Sequence, residues 1–281
     1  MSGPKTSRRQ RWEVLRRSPT FWVGGGIVAM WAVFAILGGL ATPYDPLGRP
    51  DDILNRLQPP SAEHWFGTDQ LGRDVLSRVM AGSRQVLTVA LAATALGTVA
   101  GTILGLLVGY FGGIVDDIIS RILDAFLSIP LVITGMLAIA ALGATTIGVI
   151  VVIGLVFTPL IAKTVRAAVL SERQLDYVTA AHLRRESRSY IMSVEILPNV
   201  SGVIIVEFTV RLGYAIFTVL ALSFLGFGVE PAIPDWGLMI SQHYGFLAGD
   251  VWWPVLFPAL AIASLVVGVN LLADAIAQAM E

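Results

Sequence analysis

The 281-residue sequence contains no cysteine and only two lysines, Lys5 and Lys163. Without cysteine the chain has no disulfide framework, thiolate metal site, iron–sulfur cluster or cysteine nucleophile. Neither lysine follows a glycine-rich phosphate loop, so the chain has no Walker-type ATP site. His64, His182 and His243 lie in separate segments without metal-ligand spacing. The sequence therefore predicts a non-enzymatic chain that holds no catalytic group, metal or cofactor of its own.

Charge is also scarce. Charged residues make up 14% of the chain and hydrophobic residues 55%, whereas about a quarter of an ordinary soluble domain is charged. A soluble fold of this size cannot hide that much apolar surface, because its exterior must be largely polar. The composition therefore predicts an integral membrane protein. The formal net charge of −1 excludes little.

The apolar residues are collected in long runs free of Asp, Glu, Lys and Arg, and the longest, residues 125–162, exceeds one membrane span. We expect it to break at Gly143. The runs do not alternate apolar and polar residues, which disfavours a β-barrel. The first run has no good cleavage site and is interpreted as a retained anchor. Six helical spans are predicted, at roughly 20–42, 85–109, 118–141, 146–163, 201–222 and 252–274.

Basic residues set the predicted orientation. Six spans place both termini on one side, and 13 of the 19 basic residues fall on that side, in the tail 1–17, at Arg121 and in the segment 163–200. Both termini are therefore predicted to be cytoplasmic. The basic tail could alternatively be a nucleic-acid arm, but its position before a membrane span favours a role in topology.

Two extracytoplasmic segments follow from this topology. In the first, 43–84, Thr68 or Asp69 is expected to cap a short helix. That helix either leads into the second span at the membrane interface or meets an external partner. The second segment, 223–251, is rich in turn residues and aromatics, and it either dips toward a central cavity or serves packing.

The cytoplasmic segment 164–191 is too polar to insert but compatible with helix, and it has a partly apolar face. We expect Pro198 to stop this helical hairpin before the fifth span. A partly apolar helical hairpin exposed to the cytoplasm is typical of a docking surface. The alternative is a solvated connecting loop.

Two features lie inside predicted spans. Glycines recur every four residues in the second span, and this pattern predicts a close helix contact, within the subunit or across a dimer. Glu207 and Arg211 share one face of the fifth span and neutralise each other. That pairing favours a structural latch or subunit-interface pair over the unpaired carboxylate of a proton-coupled carrier. The glycines are Gly97, Gly101, Gly105 and Gly109.

Several stretches together resemble a known family. They are the run from His64 to Arg78 (HWFGTDQLGRDVLSR), Gly109–Gly113 (GYFGG), Ser223–Gly228 (SFLGFG) and Asn270–Asp274 (NLLAD). The chain resembles the inner-membrane permease subunits of binding-protein-dependent ABC importers, in particular the C-type permease of dipeptide, oligopeptide and nickel systems.

The resemblance implies an all-α polytopic fold of the type I importer class in a bacterial inner membrane. It also implies a second permease as heterodimer partner, two cytoplasmic ATPases that hold ATP and Mg²⁺, and an extracytoplasmic substrate-binding protein. The chain would form half of a peptide pathway, with glutathione-type or nickel import as the alternative within the family. A self-sufficient secondary transporter is disfavoured by the lack of an internal repeat. The predicted organisation is an N-terminal part, 1–84, and a five-helix core, 85–281.

The family's cytoplasmic loop has a pattern of Glu-Ala-Ala, three further residues, Gly and later Leu-Pro, and here this pattern aligns with the coupling segment 164–199. The family's Glu position is Thr179, and its Gly position is Arg185. Because Arg185 should resist a left-handed backbone, we expect either a differently built turn or an altered ATPase contact. The residues that the resemblance assigns to ATPase coupling are Tyr177, Ala180, Ala181, Leu183, Arg185, Leu197 and Pro198.

Overall fold

A computed structural model describes residues 8–48, 50–143, 145–228 and 233–280. Helix accounts for the regular structure of these residues, apart from one isolated bridge between Thr68 and Asp74. Lys5 of the predicted basic tail and residues 229–232 of the second predicted outer segment lie outside the described residues.

Ten helices organise the described chain. The long ones are α2 with its short 3₁₀ extension, α3, α6, α8 and α10, and each is long and apolar enough to cross a membrane. A sixth span results if the bent pair α4 and α5 is counted as one, in agreement with the all-α polytopic prediction. The bounds are α1 Arg8–Arg17, α2 Pro19–Leu37, α3 Val75–Phe111, α4 Gly113–Leu127, α5 Leu131–Leu142, α6 Thr146–Glu172, α7 Asp176–Leu183, α8 Arg188–Phe224, α9 Trp236–His243 and α10 Trp253–Met280.

The third predicted span is not one continuous helix. α4 and α5 meet at an angle of 87° across a break at residues 128–130. Pro130 has no backbone N–H and restricts the residue before it, so the helix ends ahead of it. The predicted break at Gly143 is confirmed, because Gly143 adopts φ 94° and the Thr145 side chain caps α6.

The helix before the second predicted span begins later and runs further than expected. Asp74, rather than Thr68 or Asp69, is the N-cap, since its side chain accepts a hydrogen bond from the Ser77 N–H. From Val75 the helix continues without interruption to Phe111. The predicted short helix and the predicted second span are therefore one element, α3.

Pro198 does not stop the helical hairpin, and the prediction that it would is wrong. It lies inside α8, directly after a π-helical segment, Ile191–Ile196. A proline inside a helix removes one backbone donor and crowds the preceding turn, and the wider π-helical turns accommodate this. α8 therefore carries the chain from the coupling segment into the predicted fifth span without a break.

The glycines of α3 lie against α6 of the same chain. A Cβ built on Gly101 would lie 2.7 Å from Cβ of Ile161, and one on Gly105 would lie 2.6 Å from the carbonyl oxygen of Ala162. Gly97 and Gly109 face α6 in the same way, toward Gly154 and Val169. Backbones approach this closely only where side chains are absent, so α3 and α6 form one tightly packed pair.

Candidate functional site

Two polar regions lie near opposite ends of α3. The Asp69 region, residues 44–78 and 233–253, surrounds its first turns, where the Trp236 indole N–H donates to the carbonyl oxygen of Val79 at 2.8 Å. The coupling segment, residues 164–199, lies at its last turn. There Arg173 donates from Nη1 to the carbonyl oxygens of Gly109 and Tyr110, at 3.0 and 3.1 Å.

The coupling segment presents one face of α7 to solvent and holds the other against the protein. Val178 and Ala181 are buried. Ala180 is exposed, and Leu183 is 81% exposed, at the end of α7. Of the two alanines assigned to coupling, Ala180 is therefore open to a partner, whereas Ala181 supports α7 from inside.

Arg185 adopts the left-handed conformation that was expected to be difficult for it, with φ 59°. Its N–H donates to the carbonyl oxygen of His182 at 2.9 Å, and the N–H of Glu186 donates to that of Ala181 at 3.2 Å. This pair of hydrogen bonds is the Schellman arrangement that usually places glycine at the left-handed position. The turn therefore has the backbone geometry that a glycine would give it, and the arginine side chain at this position is exposed.

Tyr177 connects three helices. Its hydroxyl donates to Oε1 of Glu172 at 2.8 Å, at the end of α6, and accepts from Nδ2 of Asn199 in α8 at 3.2 Å. Burial raises the pKa of the Tyr177 hydroxyl above its ordinary value, with the Glu172 hydrogen bond adding to the effect. The hydroxyl therefore stays protonated, and it holds α7 in a fixed place between α6 and α8. Of the two coupling residues on α8, Leu197 is half-buried and Pro198 is exposed.

Ion pairs tie α6 to α4 beside the coupling segment. Arg166 donates from Nη2 to Oδ2 of Asp116 at 2.6 Å, and Lys163 pairs with Asp124. Both aspartates lie on one side of the amphipathic α4. Displacement of α6 is therefore passed to α4 as well as to α3.

The Asp69 region buries a cluster of charged groups. Asp69 is fully buried and accepts from Nε of Arg73 at 2.7 Å and from the Leu71 and Arg73 N–H groups at 2.8 and 3.0 Å. Nε of Arg78 lies 3.6 Å from the same carboxylate, and its Nη1 donates to the carbonyl oxygen of Pro46 at 3.0 Å. One aspartate therefore organises two guanidinium groups, in a network that sequence reasoning missed.

A second buried aspartate holds the loop after α8. Asp235 caps α9 by accepting from the Leu238 N–H at 2.9 Å, and it accepts from the Ser223 hydroxyl at 3.0 Å. Burial raises the pKa of Asp235 above its ordinary value. The Trp253 indole N–H donates to the carbonyl oxygen of Thr68 at 2.9 Å. The segment 233–253 is therefore packed against the segment 44–78, as the packing interpretation of the second outer segment required.

Glu207 and Arg211 form an ion pair on α8, with Nε of Arg211 donating to Oε2 of Glu207 at 2.9 Å. Their side chains remain 15% and 18% exposed. The Arg211 guanidinium lies 5.7 Å from the ring centroid of Tyr214. Among the described residues, no group of three or more His, Cys, Asp or Glu side chains is arranged to hold a metal ion.

Comparison with known protein families decides what this arrangement is. Residues 101–281 match the profile of the binding-protein-dependent transport system inner membrane component. The chain belongs to this family. Residues 7–60 also match the N-terminal transmembrane domain of oligopeptide transport permease C. The family profile thus covers α6, the coupling segment and α8, and the second match covers the first predicted span.

Individual relatives match along almost the whole chain. The dipeptide transport system permease protein of Escherichia coli (strain K12) is 38% identical over 99% of this chain and 94% of its own length. The glutathione transport system permease protein of Salmonella typhimurium (strain LT2) is 37% identical over 99% and 91%. The di/tripeptide transport system permease protein of Pseudomonas aeruginosa (strain UCBPP-PA14) is 35% identical over 92% and 87%.

Family membership defines the general role of the chain. It is a multi-pass membrane permease subunit of an ABC importer, with the type I permease fold, and it works with ATPase and permease partner subunits. Permease subunits of this kind are non-catalytic, so the chain is not an enzyme.

Proposed function

We propose that this chain forms half of the translocation pathway of an ATP-driven importer of short peptides. The second half is a different permease chain, and two cytoplasmic ATPases supply the energy from ATP and Mg²⁺ that this chain does not bind. An extracytoplasmic binding protein delivers the substrate. In this arrangement the importer lies in a bacterial inner membrane, with both termini of this chain in the cytoplasm.

The observation that carries the proposal is how packing and hydrogen bonds hold α7 against the rest of the chain. Its exposed face ends in Leu183, an apolar side chain with 81% of its surface open, whereas its buried face packs on the chain and Tyr177 bonds to both α6 and α8. A partner that presses on this face moves the long helices with it. That is the mechanical requirement for coupling ATP hydrolysis to alternating access.

The substrate class is argued from the relatives. Those compared carry the names of dipeptide, di/tripeptide and glutathione permeases, and all three kinds of molecule are short peptides with free charged termini. A dipeptide is the first candidate and glutathione the second. A nickel chelate is a weaker candidate, since none of these three names mentions a metal.

The orientation is supported by charge. The coupling segment carries a large share of the basic residues, and basic loops stay on the cytoplasmic side. The Asp69 region then faces the binding protein. Its internally paired charges leave a fixed surface on that side, to which a protein can dock without reordering it.

The decisive experiment is Leu183→Glu in the importer reconstituted with its partner subunits. A carboxylate placed where an apolar side chain enters an ATPase surface should reduce dipeptide uptake at least tenfold while the permease remains in the membrane. Uptake of labelled dialanine into vesicles and recovery of the ATPases with the purified permease measure the effect.

Leu54→Glu is the matched control, because Leu54 is also a highly exposed leucine, 84% open, but lies on the Asp69 side. It should leave recovery of the ATPases with the purified permease within twofold of wild type. Wild-type uptake in the Leu183→Glu variant would show that α7 is not the coupling surface.

A further inference from the structure

A charged face on α8 has no assigned role. Glu207, Arg211 and Tyr214 follow each other at spacings of four and three residues, so they line one side of the helix. We call this set the charged face. Ionisable side chains within a membrane span face protein or water rather than lipid chains. The charged face therefore points into the importer.

The aromatic end of this face is open within the chain itself, whereas the side chains of Glu207 and Arg211 are 15% and 18% exposed. Tyr214 is 58% exposed and its neighbour Phe217 is 61% exposed, although both lie well inside the span. Aromatic rings beside a cation and an anion provide both apolar contact and charge recognition. This combination suits a small ligand that carries both charges and an apolar body.

Space for such a ligand begins at Glu207, the member of the charged face that lines it. A cavity of about 490 Å³ is lined by Glu207, Thr164, Asn199 and Ser201 together with apolar side chains of α8 and α10. Its volume falls in the range of about 300–1,000 Å³ that is typical of small-molecule sites. A few polar groups in a mainly apolar wall are the usual composition of such sites.

We propose that the charged face binds the two charged termini of a zwitterionic peptide during its passage, an inference that rests on the proposed function. Arg211 takes the peptide carboxylate, Glu207 takes the peptide ammonium, and the Tyr214 ring contacts the peptide body. The internal ion pair opens and two new pairs form, so every charge remains compensated. Between transport cycles, Glu207 and Arg211 neutralise each other.

The absence of cysteine from the chain makes this proposal testable by labelling. Phe217→Cys places a thiol one turn beyond Tyr214 without altering the charged face. Thr209→Cys is the matched control, since Thr209 lies about half a turn from Glu207 around α8 and bonds only to α8 carbonyl oxygens. Both variants are reconstituted with the partner subunits in vesicles, and a charged, water-soluble methanethiosulfonate is added on both sides.

We expect Cys labelling at least tenfold faster for Phe217→Cys than for Thr209→Cys. Dialanine with binding protein and ATP should slow labelling of the Phe217→Cys variant at least threefold. Labelling that is equal in the two variants, or that is unaffected by dialanine in an importer that transports it, would overturn the proposal. In that case the pair serves helix packing or the contact with the second permease.

A second variant tests the charges directly. Glu207→Gln with Arg211→Gln removes both charges and leaves a polar side chain at each position, and we expect dialanine uptake to fall at least tenfold. Thr209→Val is the control and should transport at the wild-type rate. Unchanged uptake in the double variant would contradict the proposed role of the charged face but not the proposed function. A wild-type importer that takes up neither dialanine nor glutathione contradicts the proposed function instead.

Discussion

The Asp69 region and the coupling segment are both rich in charged side chains, but the first buries a cluster of them around Asp69 and the second leaves charges beside α7 exposed. Asp69, Arg73 and Arg78 compensate one another within the protein. Around α7, by contrast, Arg184 and Arg185 are open to solvent. Buried charges that are paired hold one conformation, because removing one partner leaves the other charge uncompensated in the interior. The comparison therefore separates a region held by buried charges from one whose charged side chains remain exposed.

The largest effect is expected from Asp69→Asn. The amide keeps the shape of the side chain but removes the charge that two buried guanidinium groups share, which should cost about 3–5 kcal/mol of unfolding free energy. Chemical denaturation of the purified importer measures it. Asp45→Asn is the control, because Asp45 is exposed and accepts only a local N–H from Leu47. A loss below about 1 kcal/mol in Asp69→Asn would mean that the Asp69 region is not held by its charges.

A smaller effect is expected from Gly105→Ala, which tests the helix pair that joins the two regions. The new Cβ would lie 2.6 Å from the Ala162 carbonyl oxygen, so α3 and α6 must separate, at a cost of about 1–3 kcal/mol. Thermal unfolding of the importer reports the change. In Gly25→Ala, where nothing lies within 4 Å, better helix propensity should leave stability equal or higher. An equal change in unfolding temperature for the two variants would argue against a tight α3–α6 contact.

The smallest effect is expected from Arg185→Gly, and it has the opposite sign. Glycine adopts the left-handed backbone of Arg185 without steric cost, so the variant should be about 1 kcal/mol more stable. Arg184→Gly is the matched control, because Arg184 has φ −71° and pairs with Glu195 at 2.9 Å. Glycine there should be neutral or destabilising. A destabilised Arg185→Gly variant would show that the arginine side chain, rather than its backbone, holds the turn.

Sequence periodicity predicted much of the architecture, because long apolar runs have few alternatives to membrane helices. It failed where a single residue decides whether a helix begins, ends or continues. Pro130 breaks a helix and Pro198 does not, although both are prolines in helical surroundings. The difference lies in the π-helical segment before Pro198, which leaves no mark in hydrophobic patterning. The start of a helix depends similarly on side-chain rotamers. Asp74 caps α3 and Asp69 does not, because the Asp69 carboxylate already interacts with Arg73 and Arg78.

For the candidate site, the sequence indicated which residues are present but not which face they occupy. Ala180 and Ala181 are adjacent and identical, yet one is exposed and the other buried. The Asp69 network joins residues 4 and 9 positions apart and was visible only as a polar, turn-rich stretch. Trp236 and Trp253 bond to Val79 and Thr68, at sequence separations that no local pattern reports.

The uninterrupted course of α3 has a mechanical consequence. At about 1.5 Å per residue, its 37 residues form a rod of about 55 Å. A tilt of about 5° around the midpoint of such a rod moves each end by about 2.4 Å, in opposite directions. The glycine contacts with α6 occupy the half of α3 that ends at the coupling segment, from Gly97 to Gly109, so α6 tilts with α3. A push at one membrane face therefore moves the opposite end of α3 in the reverse direction.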